Sequence, residues 1–284
     1  MTLHPAFAPG RVAVITGAAS GIGLAAAERC AALGMKVCMA DNNVAALEAA
    51  AGVAGRHGAE ILAVPTDVSR LDEVERLRDR ALARFGEVAL LMNNAGIEGG
   101  GSGLFGERQR WEQILGVNLW GVINGIQAFA PMMQAQGSDG AIVITGSKQG
   151  ITCPPGDTAY NVSKAGVKVV AEALAHELRT TAGNRLTAHL LIPGFVFTGM
   201  TRVRTQVKPD AAWLPEQVIG FMLEKMAAGN FYILCPDNDV DRRTDERRIA
   251  WAAGDIIENR PPLSRWHEGY KDAFAAFLKA GQAL

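Results

Sequence analysis

Cysteine is scarce and scattered: Cys30, Cys38, Cys153 and Cys235 are the four in 284 residues, and none stands at a Cys-x-x-Cys spacing. That gives no disulfide framework, speaks against a zinc or other metal site, and fits a reduced, cytoplasmic setting. An excess of one charge is also missing. The 28 Lys and Arg are balanced by 29 Asp and Glu, for a net charge of −1, so no basic surface advertises nucleic acid or an anionic membrane. Long apolar runs are absent as well. No segment approaches about 18 uninterrupted apolar residues, and positions 1–10 lack the basic and apolar regions of a signal peptide. A small molecule is the partner these absences leave.

What is present is an alternation. With 49% hydrophobic and 20% charged residues, the chain can bury one large core or a core with a small appendage. Apolar runs read as strands at 11–16, 36–40, 61–65, 88–92, 141–145 and 186–192, with a last one at 231–235. Helical patterns lie between them at 24–33, 44–57, from Ser69 to about Phe85, at 107–116 and 118–136, and at 158–180, followed by 215–228, which opens on Pro215. Ser69 with Asp72 reads as a capping pair. This order predicts an α/β fold, a Rossmann-like doubly wound parallel sheet with helices on both faces. Ligands of such sheets bind beyond the carboxyl ends of the strands. The Gly17 turn, Asp41, Asp67, Asn93, Ser147 and Pro193 all fall at those ends.

Two stretches carry chemistry. In Gly17-Ala18-Ala19-Ser20-Gly21-Ile22-Gly23 a strand feeds a helix through a glycine turn, which serves either tight packing or the approach of a pyrophosphate to helix N–H groups. Asp41, at the end of the second strand, is placed to accept hydrogen bonds from adenosine ribose hydroxyls. The second stretch runs from Ser147 to Lys164. Tyr160 and Lys164 are one helical turn apart on one face, so the ammonium should favour the phenolate and bring a poor base toward useful acid/base work.

In their order and spacing these motifs resemble the short-chain dehydrogenase/reductase family, over about residues 12–200. Thr16-Gly17-x-x-x-Gly21-Ile22-Gly23 is similar to its cofactor loop, Asp67-Val68 to its adenine contact, and Asn93-Asn94-Ala95-Gly96 to its sheet-stabilising motif. Pro193-Gly194 with Val196 and Thr198 resembles its nicotinamide-side motif. The resemblance implies Asn118, Ser147, Tyr160 and Lys164 as a catalytic tetrad. Tyr160 would be the acid/base and Ser147 the polarising donor. Lys164 would also bond the nicotinamide ribose, and Asn118 would hold a water linking Lys164 to solvent. It implies cofactor contacts at Gly17, Ser20, Gly21, Ile22, Gly23, Asp41, Asp67, Val68, Asn94, Ala95 and Gly96. NAD is expected over NADP, because Asp41 would repel a 2′-phosphate and Ala18, Ala19, Ser20, Asn42 and Asn43 offer no cation.

Substrate contacts are expected at Gln149, Ile151, Cys153, Phe195, Phe197 and Met200, mostly apolar positions that favour a hydrophobic or aromatic secondary alcohol or its ketone. Residues 1–236 are expected to form the catalytic domain, with a substrate lobe at about 195–214. Residues 237–284 would form a helical C-terminal extension whose Trp251 and Trp266 argue that it docks, on its own active-site rim or on a neighbouring subunit. The family is usually oligomeric, which implies a homodimer or homotetramer through the helices at 118–136 and 158–180. Two other readings stay open: a non-catalytic dinucleotide sensor, and a nucleotide-sugar epimerase or dehydratase.

Overall fold

A computed structural model describes residues 2–98, 100, 103–199 and 207–280. The strands are β1 (Val12–Thr16), β2 (Lys36–Asp41), β3 (Ile61–Pro65), β4 (Leu90–Asn93), β5 (Gly140–Thr145), β6 (Leu186–Ile192) and β7 (Tyr232–Leu234). They form one parallel sheet in the order β3-β2-β1-β4-β5-β6-β7. The order reverses between β1 and β4, so the two strands that end in the glycine turn and in Asn93 part company there and leave a crevice.

The sheet is buried on both faces because its strands are apolar on both. Successive side chains alternate in direction. Ala13 and Ile15 of β1 pack with one set of helices, and Val14 with the other. The first set comprises α1 (Gly21–Ala32), α2 (Val44–Gly55) and α8 (Pro215–Ala227), with Ala27, Leu47 and Met222 in the core. The second comprises α3 (Leu71–Phe85), α5 (Gly121–Ala135) and α7 (Thr158–Thr180), with Leu77, Phe129 and Val167.

Three expectations change. The helices at 107–116 and 118–136 are one continuous rod: α4 (Arg108–Leu115), a π-helical turn Gly116–Trp120, and α5. By length and composition this rod could cross a membrane, but half of its most apolar window is buried within the domain, which accounts for its apolarity. The second change is at α3, whose N-cap is Arg70, with no side-chain cap. Ser69 is engaged elsewhere: its N–H and hydroxyl both donate to Asp67 Oδ1, at 2.9 and 2.7 Å. The third is a short helix, α6 (Gln149–Thr152), in the loop after Ser147.

Beyond β7 the chain forms α9 (Arg242–Ile257), two 3-10 turns (Ser264–Trp266 and Glu268–Tyr270) and α10 (Lys271–Ala280). Asp241 caps α9 by accepting from the Thr244 N–H at 2.7 Å. Trp251 is 5% exposed. Its indole N–H donates to Ser264 Oγ at 2.8 Å, Phe274 and Phe277 meet its ring edge-on, and the Arg260 guanidinium lies 4.0 Å from its centroid. Trp266 remains partly exposed. The extension packs on its own chain, α9 against α6.

Candidate active site

The carboxyl ends of β1, β2, β4, β5 and β6 surround a cleft of about 770 Å³. At one end lies the glycine turn. Gly17 and Gly21 adopt φ of +64° and +55°, where a side chain is strained. A Cβ on Gly17 would stand 2.8 Å from the Ala95 Cα, and one on Gly23 would overlap the Gly17 carbonyl oxygen. Backbone therefore lines this end, with the N-terminus of α1 opening onto it and Ser20 making no side-chain cap. Asp41 closes the wall. Its Oδ2 accepts from the Ala19 N–H at 3.2 Å and its Oδ1 from the Asn43 N–H at 3.0 Å, so the carboxylate is held beside the turn.

Asn94 ties three strand ends together. Its Nδ2 donates to the Thr16 and Gly17 carbonyls at 3.1 and 3.4 Å, and its Oδ1 accepts from the Thr145 hydroxyl at 3.2 Å. Thr16 Oγ1 accepts from the Asn94 and Ala95 N–H groups. A backbone cradle that side chains would fill, a helix N-terminus and a fixed carboxylate together fit a nicotinamide dinucleotide.

At the other end stand Ser147, Tyr160 and Lys164. Tyr160 and Ser147 line the cleft together, and Ser147 Oγ accepts from the Gln149 N–H at 3.2 Å. Lys164 Nζ is buried, donates to the Thr145 carbonyl at 2.8 Å and lies 5.8 Å from the Tyr160 ring centroid. The expected depression of the phenol does not appear in the cofactor-free chain. Burial pushes it up, the nearby Ser147 hydroxyl opposes this, and Glu98 and Asp157 add to the rise. Burial also pushes Lys164 down, to about 8, because a desolvated ammonium loses hydration that one carbonyl does not replace.

Asn118 is fully buried at the π-helical turn. Its Oδ1 accepts from the Ile97 N–H at 2.8 Å, and its Nδ2 donates to the Ile97 carbonyl and to Ser163 Oγ at 3.0 and 3.2 Å. It braces the loop after β4 and does not line the cleft.

Among the other expected contacts, Ile22, Gly96, Gln149, Pro193, Gly194, Phe195, Val196 and Thr198 line the cleft. Gly23 and Ala95 lie just behind it in the cradle. Asp67 is engaged with Ser69, and Val68 is buried, close enough that a Cβ on Gly121 would stand 2.6 Å from its Cγ2. Ile151 packs on the second core, and Cys153 ends α6 at φ +44°. Phe197 is buried, its N–H donating to the Trp213 carbonyl at 2.8 Å. Met200 falls outside the described residues. The cleft is more polar than expected, since Glu98, Lys148 and Asp157 line it as well. Nothing in the local sequence pattern singles out these three, although Lys148 follows Ser147 directly.

Residues 11–208 match the family model described as short chain dehydrogenase. The chain belongs to the short-chain dehydrogenase family. This short-chain dehydrogenase is 31% identical over 261 residues to the 1-deoxy-11-beta-hydroxypentalenate dehydrogenase of Streptomyces exfoliatus, covering 90% of this chain and 94% of that one. A short chain dehydrogenase/reductase from Burkholderia phymatum, solved in complex with NAD, shares its fold at a TM-score of 0.80 and 36% identity, over 89% of this chain and 96% of the other. An alcohol dehydrogenase from the archaeon Thermococcus sibiricus, complexed with 5-hydroxy-NADP, matches at a TM-score of 0.67 and 26% identity, over 77% and 89% of the two chains. The protein is therefore an oxidoreductase that binds a nicotinamide dinucleotide, and these neighbours include binders of both forms.

Proposed function

We propose that this short-chain dehydrogenase prefers NAD and interconverts a hydrophobic or aromatic secondary alcohol and its ketone. The observation that carries the reading is a single cleft with Ser147, Tyr160 and Lys164 at one end and a backbone cradle closed by Asp41 at the other. When bound, the cofactor supplies the hydride acceptor or donor and, when oxidised, a positive charge that favours the phenolate. Tyr160 takes the alcohol proton during oxidation and returns it to the carbonyl oxygen during reduction. Ser147 donates a hydrogen bond to the same oxygen, where charge develops. Lys164 holds positive charge beneath the phenol, and Asn118 keeps the post-β4 loop in place and would hold the water that links Lys164 to solvent.

Phe195 and Val196 give the substrate end an apolar wall, and a relative named for a hydroxylated small molecule supports the alcohol class. The 237–284 extension is assigned to the rim of that end. Four free thiols support a reduced, cytoplasmic setting. Trp120, Val162 and Val169 leave exposed apolar surface around the π-helical turn and α7, which supports a homodimer or homotetramer through that face. A panel of aryl, steroid-like and aliphatic alcohols, supplied with NAD or NADP and followed by absorbance of the reduced cofactor, tests the reading. Turnover of an apolar secondary alcohol with NAD is expected; tight NADH binding without turnover across the panel would instead favour a dinucleotide sensor.

A further inference from the structure

At the carboxyl ends of β5, β6 and β7 one cation joins segments that are far apart in the chain. Lys148 follows Ser147, and its backbone N–H donates to the Pro193 carbonyl at 3.4 Å. Its Nζ lies 3.2 Å from Asp237 Oδ2, beyond β7, and 2.6 Å from Asp245 Oδ2, in the first turn of α9. The three side chains are 18%, 8% and 5% exposed, in that order. Asp237 Oδ2 also accepts from the Phe195 N–H at 3.4 Å. Gly194 is packed against the pair so closely that a Cβ would stand 2.7 Å from Asp237 Oδ2 and 2.9 Å from Lys148 Nζ. Asp245 has a second, more distant cation in Arg248, at 3.9 Å.

A buried ion cluster is not needed to glue an extension onto a domain, since apolar packing of similar volume often serves as well. Trp251 with Phe274 and Phe277 already gives the extension an apolar core of its own. What the cluster adds is a cation held between two buried carboxylates, one of which, Asp237, also accepts from the Phe195 N–H, and both backbones it grips line the cleft: Ser147-Lys148 on one side, Pro193 to Phe195 on the other.

We propose that Lys148 is a positioning residue through which Asp245 of the C-terminal extension sets the placement of Ser147 and of the Pro193 to Phe195 turn. The extension thus acts on the cleft wall from behind, without lining the cleft itself. Its kinetic consequence rests on the oxidoreductase reading above; its structural consequence does not.

Asp245→Asn, Lys148→Met and Lys148→Arg test the proposal, with Arg11→Met as a control that breaks the 2.9 Å pair with Glu87 at the opposite ends of the strands. Backbone amide exchange is followed in 147–152, 193–198 and 17–23, alongside kcat/KM and the Kd for NADH. In Asp245→Asn, exchange in the first two segments should quicken by about threefold or more while 17–23 keeps its wild-type rate. kcat/KM should fall by about tenfold or more, since small misplacements of reacting groups are costly, and the NADH Kd should rise by less, because the Pro193 to Phe195 contacts move while the 17–23 cradle keeps its place. Lys148→Arg should recover most of what Lys148→Met loses, and Arg11→Met should lower Tm without either change. If Lys148→Met does not fold, Asp245→Asn decides, because there Lys148 keeps Asp237. Unchanged exchange in Asp245→Asn, or the same acceleration in Arg11→Met, overturns the proposal. A wild type that turns over no alcohol defeats the oxidoreductase reading alone, and the exchange measurement still decides this one.

Discussion

Asp41→Ala should narrow the preference between NAD and NADP, because it removes a fixed charge where the adenosine ribose would lie. The Asp41 carboxylate is fixed beside the glycine turn by the Ala19 and Asn43 N–H groups. A ribose 2′-phosphate brought to about 4 Å from it would meet a repulsion of about 4 kcal/mol at an effective dielectric near 20. Asp41 is only partly buried, and screening at physiological salt reduces this to roughly 1–3 kcal/mol, a tenfold to hundredfold preference for NAD. The alanine variant removes the repulsion and with it the acceptor for the ribose hydroxyls, a charge-assisted contact worth about 1.5–3 kcal/mol. NAD should then bind more weakly and NADP more tightly. Steady-state kinetics with both cofactors on wild type and variant read the ratio directly. Equal use of the two by the wild type, or an unchanged ratio in the variant, would refute the placement of Asp41 at the ribose.

Gly125→Ala should destabilise the fold although alanine is the better helix former. The helical gain is about 1 kcal/mol, but a Cβ there would overlap the Asn93 side-chain oxygen, with Asn93 buried at the end of β4, and overpacking of that kind costs about 1–3 kcal/mol. A Tm equal to or above that of the wild type would contradict the packing argument. Relative to Lys164→Met, the cofactor-free protein should gain stability as pH rises above about 8, while the buried Cys30, Cys38 and Cys235 thiols, pushed up to about 12, lower the stability of both proteins over the same range. Burial holds Lys164 at about 8, below its unfolded value, so between those limits the unfolded chain binds more protons and folding gains up to about 3 kcal/mol. Urea midpoints at pH 7.5 and 9.5 on wild type and Lys164→Met check this through their difference; the same change with pH in both proteins would place its origin elsewhere.

Three elements were legible to the residue: β3, α7 and β6 fall at 61–65, 158–180 and 186–192. Each has an unambiguous period and clear flanks. The rod from α4 to α5 was not legible, because one helical pattern read as ending at Gly116 and the next as starting at Asn118. The π-helical turn that joins them packs Gly121, at its end, against the Val68 side chain, and tertiary packing of that kind leaves no local signal. Ser69 looked like a cap because the pattern does not show that Asp67 takes its hydroxyl. Tyr160, Lys164 and Ser147 were legible because one turn of helix and one strand end fix their neighbourhood. Lys148 was not, since its partner Asp237 is 89 positions away and only the fold brings them together. The Tyr160 shift runs the other way for a related reason: spacing shows a neighbouring ammonium but not the burial that raises the phenol, nor that Lys164 Nζ lies 5.8 Å from the ring centroid and bonds the Thr145 carbonyl instead.

The proposed proton transfer at Tyr160 is tested most directly by Tyr160→Phe, with turnover and NADH binding measured on the same sample. The hydroxyl is the group that exchanges a proton with the substrate oxygen, and general acid/base groups of this kind contribute about a hundredfold to ten-thousandfold. The account predicts that kcat falls by that range while the Kd for NADH changes by less than about threefold, because the cradle and Asp41 at the other end of the cleft are untouched. A variant that keeps wild-type kcat on a secondary alcohol would contradict it.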